Sequence, residues 1–412
     1  MGRDAAKDRS IAVVRHGRQR RRGAVSAAVS GIAIALAVVL VSTAGVAAWA
    51  IYDVLHSFKP TITLVGPGGT TAPPVPDVNA IEGGFNMLLV GSDTRQGQGG
   101  RYGDASQIQG QRNDVTILVH VSEDHSNAVV ISIPRDTFVP IPACTDQKGV
   151  THSPRSSAKI NESLEIGGLA CTWSTVSQLT GLTIHFAAAV TFEGVTAMAD
   201  AVGGVDVCLA DPIVDPKTDL NLPAGNVTLN GREAAQFLRT RHGVGDGSDI
   251  GRISNQQVYM SALMRKLQSS ETLSSPVTLY SIAKVAAKNV TLSDGLDNLN
   301  TMVSIALALK DVPAGNFALV QYPVADVADG VVPITDAART LMDAVKADKG
   351  LVLTGGSGYY GSKPQSPSPE NSAPPETPST ATPGATEASK VELPRSVTGQ
   401  TVDEVRCSNG NG

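Results

Sequence analysis

Aromatic side chains are scarce: Phe, Tyr and Trp make up only 4% of the 412 residues, although 42% are apolar. A core built from this chain must be aliphatic, drawing on Val, Leu, Ile and Ala. Cysteine is nearly absent as well. Cys144, Cys171, Cys208 and Cys407 form neither a CxxC metal pattern nor a dense disulfide scaffold. Positive charge is not in excess either; a formal net charge of -5 gives no reason to expect a nucleic-acid partner. No internal repeat divides the chain. Between residues 23 and 52 there is no charged residue at all.

That last absence sets the compartment. The run GIAIALAVVLVSTAGVAAWAIY is long enough to cross a bilayer, which needs about 20 apolar residues. Ahead of it stand Arg3, Lys7, Arg9, Arg15, Arg18, Arg20, Arg21 and Arg22, against Asp4 and Asp8. A basic flank stays inside, so residues 1–23 read as a cytoplasmic tail and residues 24–52 as a single-pass transmembrane helix. Everything from residue 53 onward is then extracytoplasmic. The competing reading is a cleaved signal peptide, because Ala48-Trp49-Ala50 resembles a small-x-small cleavage site. The apolar run exceeds the ~7–15 residues of a signal core, which favours the anchor.

Residues 53–80, rich in Pro, Gly and Thr, read as a juxtamembrane linker. Residues 81–354 mix strands and helices, which indicates an α/β (α+β) fold with a central mixed sheet sandwiched by helices. Strands are expected at 85–91, 115–121, 128–133, 184–190, 205–209 and 317–322. The second and third should form a hairpin across residues 123–127. Helices are expected at 161–167, 172–180, 192–202, 275–287, 295–309 and 334–347. Residues 355–390 are too poor in apolar side chains to repay ordering and read as a disordered Pro/Ser/Thr-rich linker. A short tail, 391–412, carries Cys407 and could dock back through a disulfide.

The chain is organised around residues 229–267. Asn230 with Glu233 suggests a capping box on a short helix. If the backbone then extends, Arg239 and Arg241 project to one side. After a glycine-rich loop, Asp249 starts a second helix on which Arg252, Asn255 and Gln256 share a face. Ile253, Met260, Met264 and Leu267 are its core face. Guanidiniums converging beside a glycine loop suit an anionic ligand, since each offers a planar fork of donors to phosphate oxygens. The plainer reading pairs these arginines with Asp246 and Asp249 at the surface.

Further motifs sit where strands end: Gly91-Ser92-Asp93-Thr94-Arg95, Arg112-Asn113-Asp114 and Pro134-Arg135-Asp136, with Lys159-Ile160-Asn161 after a loop. Strand ends of α/β sheets are common ligand sites. Carboxylates at two adjacent ends, Asp93 and Asp114, suit Mg²⁺, which takes one or two carboxylates plus substrate phosphate oxygens. The arginines and Lys159 would neutralise charge on a leaving phosphate.

With Gly203-Gly204-Val205, Leu229-x-Gly231, Arg239-x-Arg241 and Arg252-x-x-x-Gln256-Gln257, this ordered set resembles the LytR-CpsA-Psr family. The Ser-Asn-Gln-Gln form together with the cysteines resembles its actinobacterial branch. The resemblance implies a membrane-anchored phosphotransferase that moves a glycopolymer from a polyprenyl-pyrophosphate carrier to peptidoglycan. It implies that Asp93 and Asp114 hold Mg²⁺ (or Mn²⁺), and that Arg112, Arg135, Arg239, Arg241 and Arg252 grip the pyrophosphate. Lys159 and Gln256 assist, Asp93 or Asp114 takes the acceptor proton, and the lipid tail needs an apolar tunnel. Asn113 and Asn255 stand where many members have Ser and Arg. Two other readings stay open: a phosphohydrolase using water as acceptor, and a non-catalytic binder of lipid-linked wall precursors. In an oxidising compartment the four cysteines allow three pairings. Cys144–Cys171 is favoured because it would brace the loop ending in Lys159, leaving Cys208–Cys407.

Overall fold

A computed structural model describes residues 24–69, 71–72, 83–94, 111–356, 362–365 and 390–411. The basic tail, Arg95, most of the 355–390 linker and part of the 53–80 linker lie outside the described residues. Two units are distinguished, residues 1–52 and 53–412. In chain order, the elements used below begin with helix α1 (Ala24–Leu55) and strands β1 (Phe85–Ser92), β2 (Asn113–Val121), β3 (Ala128–Ile133), β4 (Phe138–Ile141) and β5 (Arg155–Lys159). Next come α2 (Ser163–Thr180), β6 (Phe186–Val190), α3 (Phe192–Ala201), β7 (Val205–Leu209), β8 (Gly225–Leu229), α4 (Gly231–Arg239), α5 (Asp249–Gln268), α6 (Ser270–Leu273) and α7 (Pro276–Asn289). The remainder are β9 (Val290–Leu292), α8 (Leu299–Asp311), β10 (Phe317–Gln321), α9 (Thr335–Lys346), β11 (Gly399–Thr401) and β12 (Arg406–Ser408).

α1 includes a span long and apolar enough to cross a membrane, Ala28–Leu55. In the second unit a mixed sheet of seven strands runs β9-β6-β1-β2-β3-β10-β11. Its centre is an antiparallel meander β1-β2-β3, which contains the expected β2-β3 hairpin, flanked by parallel pairing of β6 on β1 and of β10 on β3. Period-two alternation divides the apolar side chains between the faces. Leu88, Val90, Leu118 and Ile131 meet Trp173 of α2 and Leu341 and Val345 of α9. Phe85, Ile117, Val119 and Val130 meet Met264 of α5 and Ile305 of α8. Most of this core is aliphatic, with Phe85, Phe186 and Phe317 among its largest fully buried side chains.

The two helices expected near 161–180 are present as the two segments of α2, separated by a kink at Gly167 and Gly168. Gly168 has φ +70° and ψ -161°, a conformation that L side chains rarely adopt. A Cβ on Gly167 would lie 2.9 Å from Cys171 Cβ and 3.2 Å from Cys144 Sγ, so this glycine admits the Cys144–Cys171 disulfide against the helix.

The C-terminal tail is woven into the body. β11 pairs with β10 as an edge of the large sheet, and β12 lies beside β7 in a second sheet ordered β8-β7-β12 and then Lys363–Pro364. Cys208 of β7 and Cys407 of β12 are opposed in register and form the other disulfide, joining residues 199 apart in sequence. Tail groups also hold α5: Gln400 donates to the Gln257 carbonyl at 3.3 Å, and Arg265 donates to the Val402 carbonyl at 2.6 Å. Closing so long a loop restricts the unfolded chain strongly. Cys407→Ser should lower unfolding free energy by about 2–5 kcal/mol, measured by denaturant titration of the detergent-solubilised full chain. Reductant should abolish most of the difference between variant and parent.

Candidate active site

The site assembles where three consecutive strands of the meander meet the start of α5. Ser92 pairs with Asn113 across a bulge after Gly91, which sets the β1 and β2 ends side by side. Asp93 caps this junction: its Oδ1 accepts from the Arg112 backbone N–H at 2.8 Å, while its own N–H donates to the Arg112 carbonyl at 3.1 Å. β3 ends opposite β2, so Arg135 falls beside Asp114 and its Nη1 donates to that carboxylate. The amide of buried Asn113, oriented to donate to the carbonyls of Ile160 (3.2 Å) and Asn161 (2.6 Å), ties β2 to the turn after Lys159. Lys159 Nζ lies 3.4 Å from Asp136, which also contacts Arg135 at 3.6 Å.

The other half comes from α5. Ser248 caps the helix by accepting from the Gly251 N–H, and Asp249 sits in the first turn, where a carboxylate suits the helix dipole. Around Asp249 converge three guanidiniums: Arg252 at 2.6 Å, Arg135 at 3.6 Å and Arg241 at 4.0 Å. Arg252 is only 4% exposed and also donates to the Asp114 carbonyl at 2.9 Å. The Nε atoms of Arg135, Arg241 and Arg252 are buried without hydrogen-bond partners, and so are both Asp249 oxygens. Charge proximity, more than fitted hydrogen bonds, holds this cluster, and it leaves guanidinium donors available to an anion.

Electrostatics separate the groups. Burial lowers the Arg252 pKa, opposed by Asp249 and reinforced by Arg135 and Arg241. Burial works against Arg135 too, but Asp114, Asp249 and Asp136 together raise it. Asp93 is raised, chiefly by burial and further by the Asp114 charge, with the Arg112 N–H working against this. Two carboxylates at adjacent strand ends, one of them held partly against ionisation by burial, are a donor set that fits a divalent cation. Among the described residues no group of three or more His, Cys, Asp or Glu is arranged to hold a metal. Substrate phosphate oxygens would therefore have to complete the coordination.

A LytR_cpsA_psr family profile matches residues 69–347. The chain belongs to this family. Among curated proteins, cell wall biosynthesis protein LcpA of Corynebacterium glutamicum is 32% identical over 277 residues, covering 61% of this chain and 52% of that protein. Polyisoprenyl-teichoic acid–peptidoglycan teichoic acid transferase TagU of Oceanobacillus iheyensis is 30% identical over 225 residues, 53% of this chain and 62% of that one. The chain thus spans about half to three-fifths of the length of these relatives. Among solved structures, a LytR-Csp2A-Psr enzyme from Actinomyces oris aligns with TM-score 0.50 at 21% identity, over 70% of this chain and 95% of that one. TagV of B. subtilis gives 0.51 at 21%, over 64% and 96%. At that identity the likeness establishes the fold.

In this LytR-CpsA-Psr fold, Asp93, Asp114, Arg135, Lys159, Arg241 and Arg252 converge as the sequence suggested. Three other candidates are placed differently. Arg112 contributes its backbone to Asp93, while its exposed guanidinium lies 3.5 Å from Glu165. Arg239 ends α4 and does not alternate with Arg241 along an extended strand; its guanidinium stacks 4.2 Å from the Phe192 ring centre. Gln256 donates its amide to the Leu238 carbonyl at 2.9 Å, and Asn255 donates to the Phe237 carbonyl at 2.8 Å, so both lace α5 to the end of α4. The Asn230 side chain makes no capping hydrogen bond, so the expected capping box is absent. The plainer pairing of the arginines with Asp249 holds, although in a largely buried cluster, while Asp136 is not among the candidate site residues of the sequence. A signal for Asp136 was present in the sequence, directly after Arg135.

Removing the shared carboxylate strands buried cations: Asp249→Ala should cost about 3–5 kcal/mol of stability, read from chemical denaturation. Asp93 should behave oppositely. Because its folded pKa is raised, stability is fully present below the unfolded carboxylate value of about 3.9 and declines as pH rises through the folded pKa. Asp93→Asn should therefore be more stable than the parent at neutral pH, and the difference should vanish near pH 3.

Proposed function

We propose that this protein is a membrane-anchored phosphotransferase that moves a glycopolymer from a polyprenyl-pyrophosphate carrier to peptidoglycan. The carrying observation is the set of three guanidiniums around Asp249, facing two carboxylates at neighbouring strand ends. Family membership supports the reading, as does the similarity to TagU, a polyisoprenyl-teichoic acid–peptidoglycan teichoic acid transferase.

In the proposed reaction an acceptor hydroxyl on peptidoglycan attacks the phosphorus that bears the polymer. A P–O bond forms to the acceptor, the bridging P–O bond of the pyrophosphate breaks, and polyprenyl phosphate leaves. The hydroxyl proton passes to a strand-end carboxylate, Asp93 or Asp114. Arg135, Arg241 and Arg252 would grip the pyrophosphate, with Lys159 assisting through the Asp136 contact; charge developing on the leaving phosphate is met by donors already in place. Asp93 and Asp114 would hold Mg²⁺ or Mn²⁺, which would polarise a phosphoryl oxygen. The domain would act outside the cell membrane, anchored by α1.

Arg241 is half-buried at the rim of the cluster, so its replacement should leave the fold intact. Arg241→Ala should slow transfer by about 30- to 1,000-fold, the ~2–4 kcal/mol of one anion-stabilising donor. The assay supplies full-length protein with lipid-linked donor, Mg²⁺ and peptidoglycan oligosaccharide, and detects a sugar phosphodiester. Free phosphorylated polymer in its place would mean hydrolysis, and no turnover with retained donor binding would mean a non-catalytic binder. Added Mg²⁺ should also shrink the neutral-pH stability gap between Asp93→Asn and the parent, since only the parent offers both carboxylates.

A further inference from the structure

Two helices in the second unit show apolar side chains to solvent. On α8, Thr301, Ser304, Ile305 and Ala308 are buried, while Val303, Ala306, Leu307 and Lys310 recur at helical spacing on the outside. Val303 is 49% exposed and Leu307 51%. A solvent-facing helix ordinarily reverses this arrangement, putting its polar residues outward. α7 (PVTLYSIAKVAAKN) has one fully buried residue, Ala287, and exposes Val277 at 75% and Leu279 at 43%. Its only charged side chains are Lys284 and Lys288, and it has no acidic residue.

Chain entry places these helices. Asp53, in the last turn of α1, accepts hydrogen bonds from Tyr280 and Lys284 of α7. A few residues on, Thr61 donates to Asp294 at 2.5 Å, and the Ile62 N–H donates to the Leu292 carbonyl, just ahead of α8. Phe58 packs on the same cluster as Leu292, Leu296 and Ile305. The first residues to leave the apolar helix are thus fastened to α7 and to the turn before α8.

We propose that the outer faces of α7 and α8 lie on the outer surface of the membrane, where Val277, Val303 and Leu307 enter the headgroup–acyl boundary. This rests on the reading of α1 as a membrane anchor. A short apolar face with nearby lysines matches a lipid surface, because the side chains bury about 5–10 Å deep and the exposed ammonium groups of Lys288 and Lys310 meet lipid phosphates, Lys284 being held by Asp53. The contact would hold the domain at a fixed distance and tilt over the bilayer from which a lipid-linked substrate is drawn.

The test reconstitutes full-length protein in phosphatidylethanolamine–phosphatidylglycerol vesicles containing lipids brominated near the headgroup. Leu307→Trp, Val277→Trp and, as control, Val214→Trp on a separate exposed hairpin are compared by tryptophan quenching above the parent signal. Quenching at 307 and 277, but not at 214, is expected. Equal signals at all three positions, with native Trp49 of α1 quenched, would overturn the surface contact while leaving the anchor intact. Unquenched Trp49 would overturn both. Quenching differences that grow with protein-to-lipid ratio would assign the face to contacts between copies of the chain and reject the lipid contact.

Discussion

The site depends on one buried carboxylate. Asp249 stands amid Arg135, Arg241 and Arg252, which arrive from different elements. Three guanidiniums cannot share a low-dielectric pocket unless negative charge is present to hold them. Asp249 supplies that charge from the first turn of a helix, and a pyrophosphate group could compete for the same donors. An anion entering here would find one cation, Arg252, already desolvated and two partly exposed ones positioned beside it.

Because the cluster hangs on the first turn of α5, everything that fixes α5 also fixes the chemistry. Asn255 and Gln256 tie it to the end of α4. Tyr259 and Ala262 pack into the smaller sheet's core and Met264 into the larger one, so the helix is the shared wall of two hydrophobic clusters. Gln400 and the Val402 carbonyl complete the bracket from the tail. The Cys208–Cys407 disulfide lies far along the chain from Arg252, yet it anchors the segment that grips this helix. On the other side, Cys144–Cys171 closes the loop that presents Lys159.

Much of this was legible in sequence. Apolar runs located β1, β2 and β3, and Asp249 marked the start of α5, because those signals are local. Asp93, Asp114, Arg135, Arg241 and Arg252 are legible as members of an ordered motif set that resembles the family, since singly a charged residue at a strand end or beside a glycine loop is as readily a turn cap or a surface ion pair. Arg239, Gln256 and Arg112 were harder to place: their side chains pack on Phe192, on a helix-end carbonyl and beside Glu165, partners set by tertiary contacts. β11 and β12 of the tail were equally hidden, since segments of three residues carry no periodicity to read.

The sequence by itself determined that an apolar helix precedes a sheet-and-helix domain, and that a set of cations and carboxylates lies in that domain at strand ends and a helix start. Hydrophobic patterning and turn chemistry act over a few residues, so they survive without coordinates. Only the tertiary structure decided which cations share Asp249, that the tail completes both sheets, and that α7 and α8 turn apolar faces outward. Those outcomes depend on which distant segments meet, and burial fixes that only after the whole chain has packed.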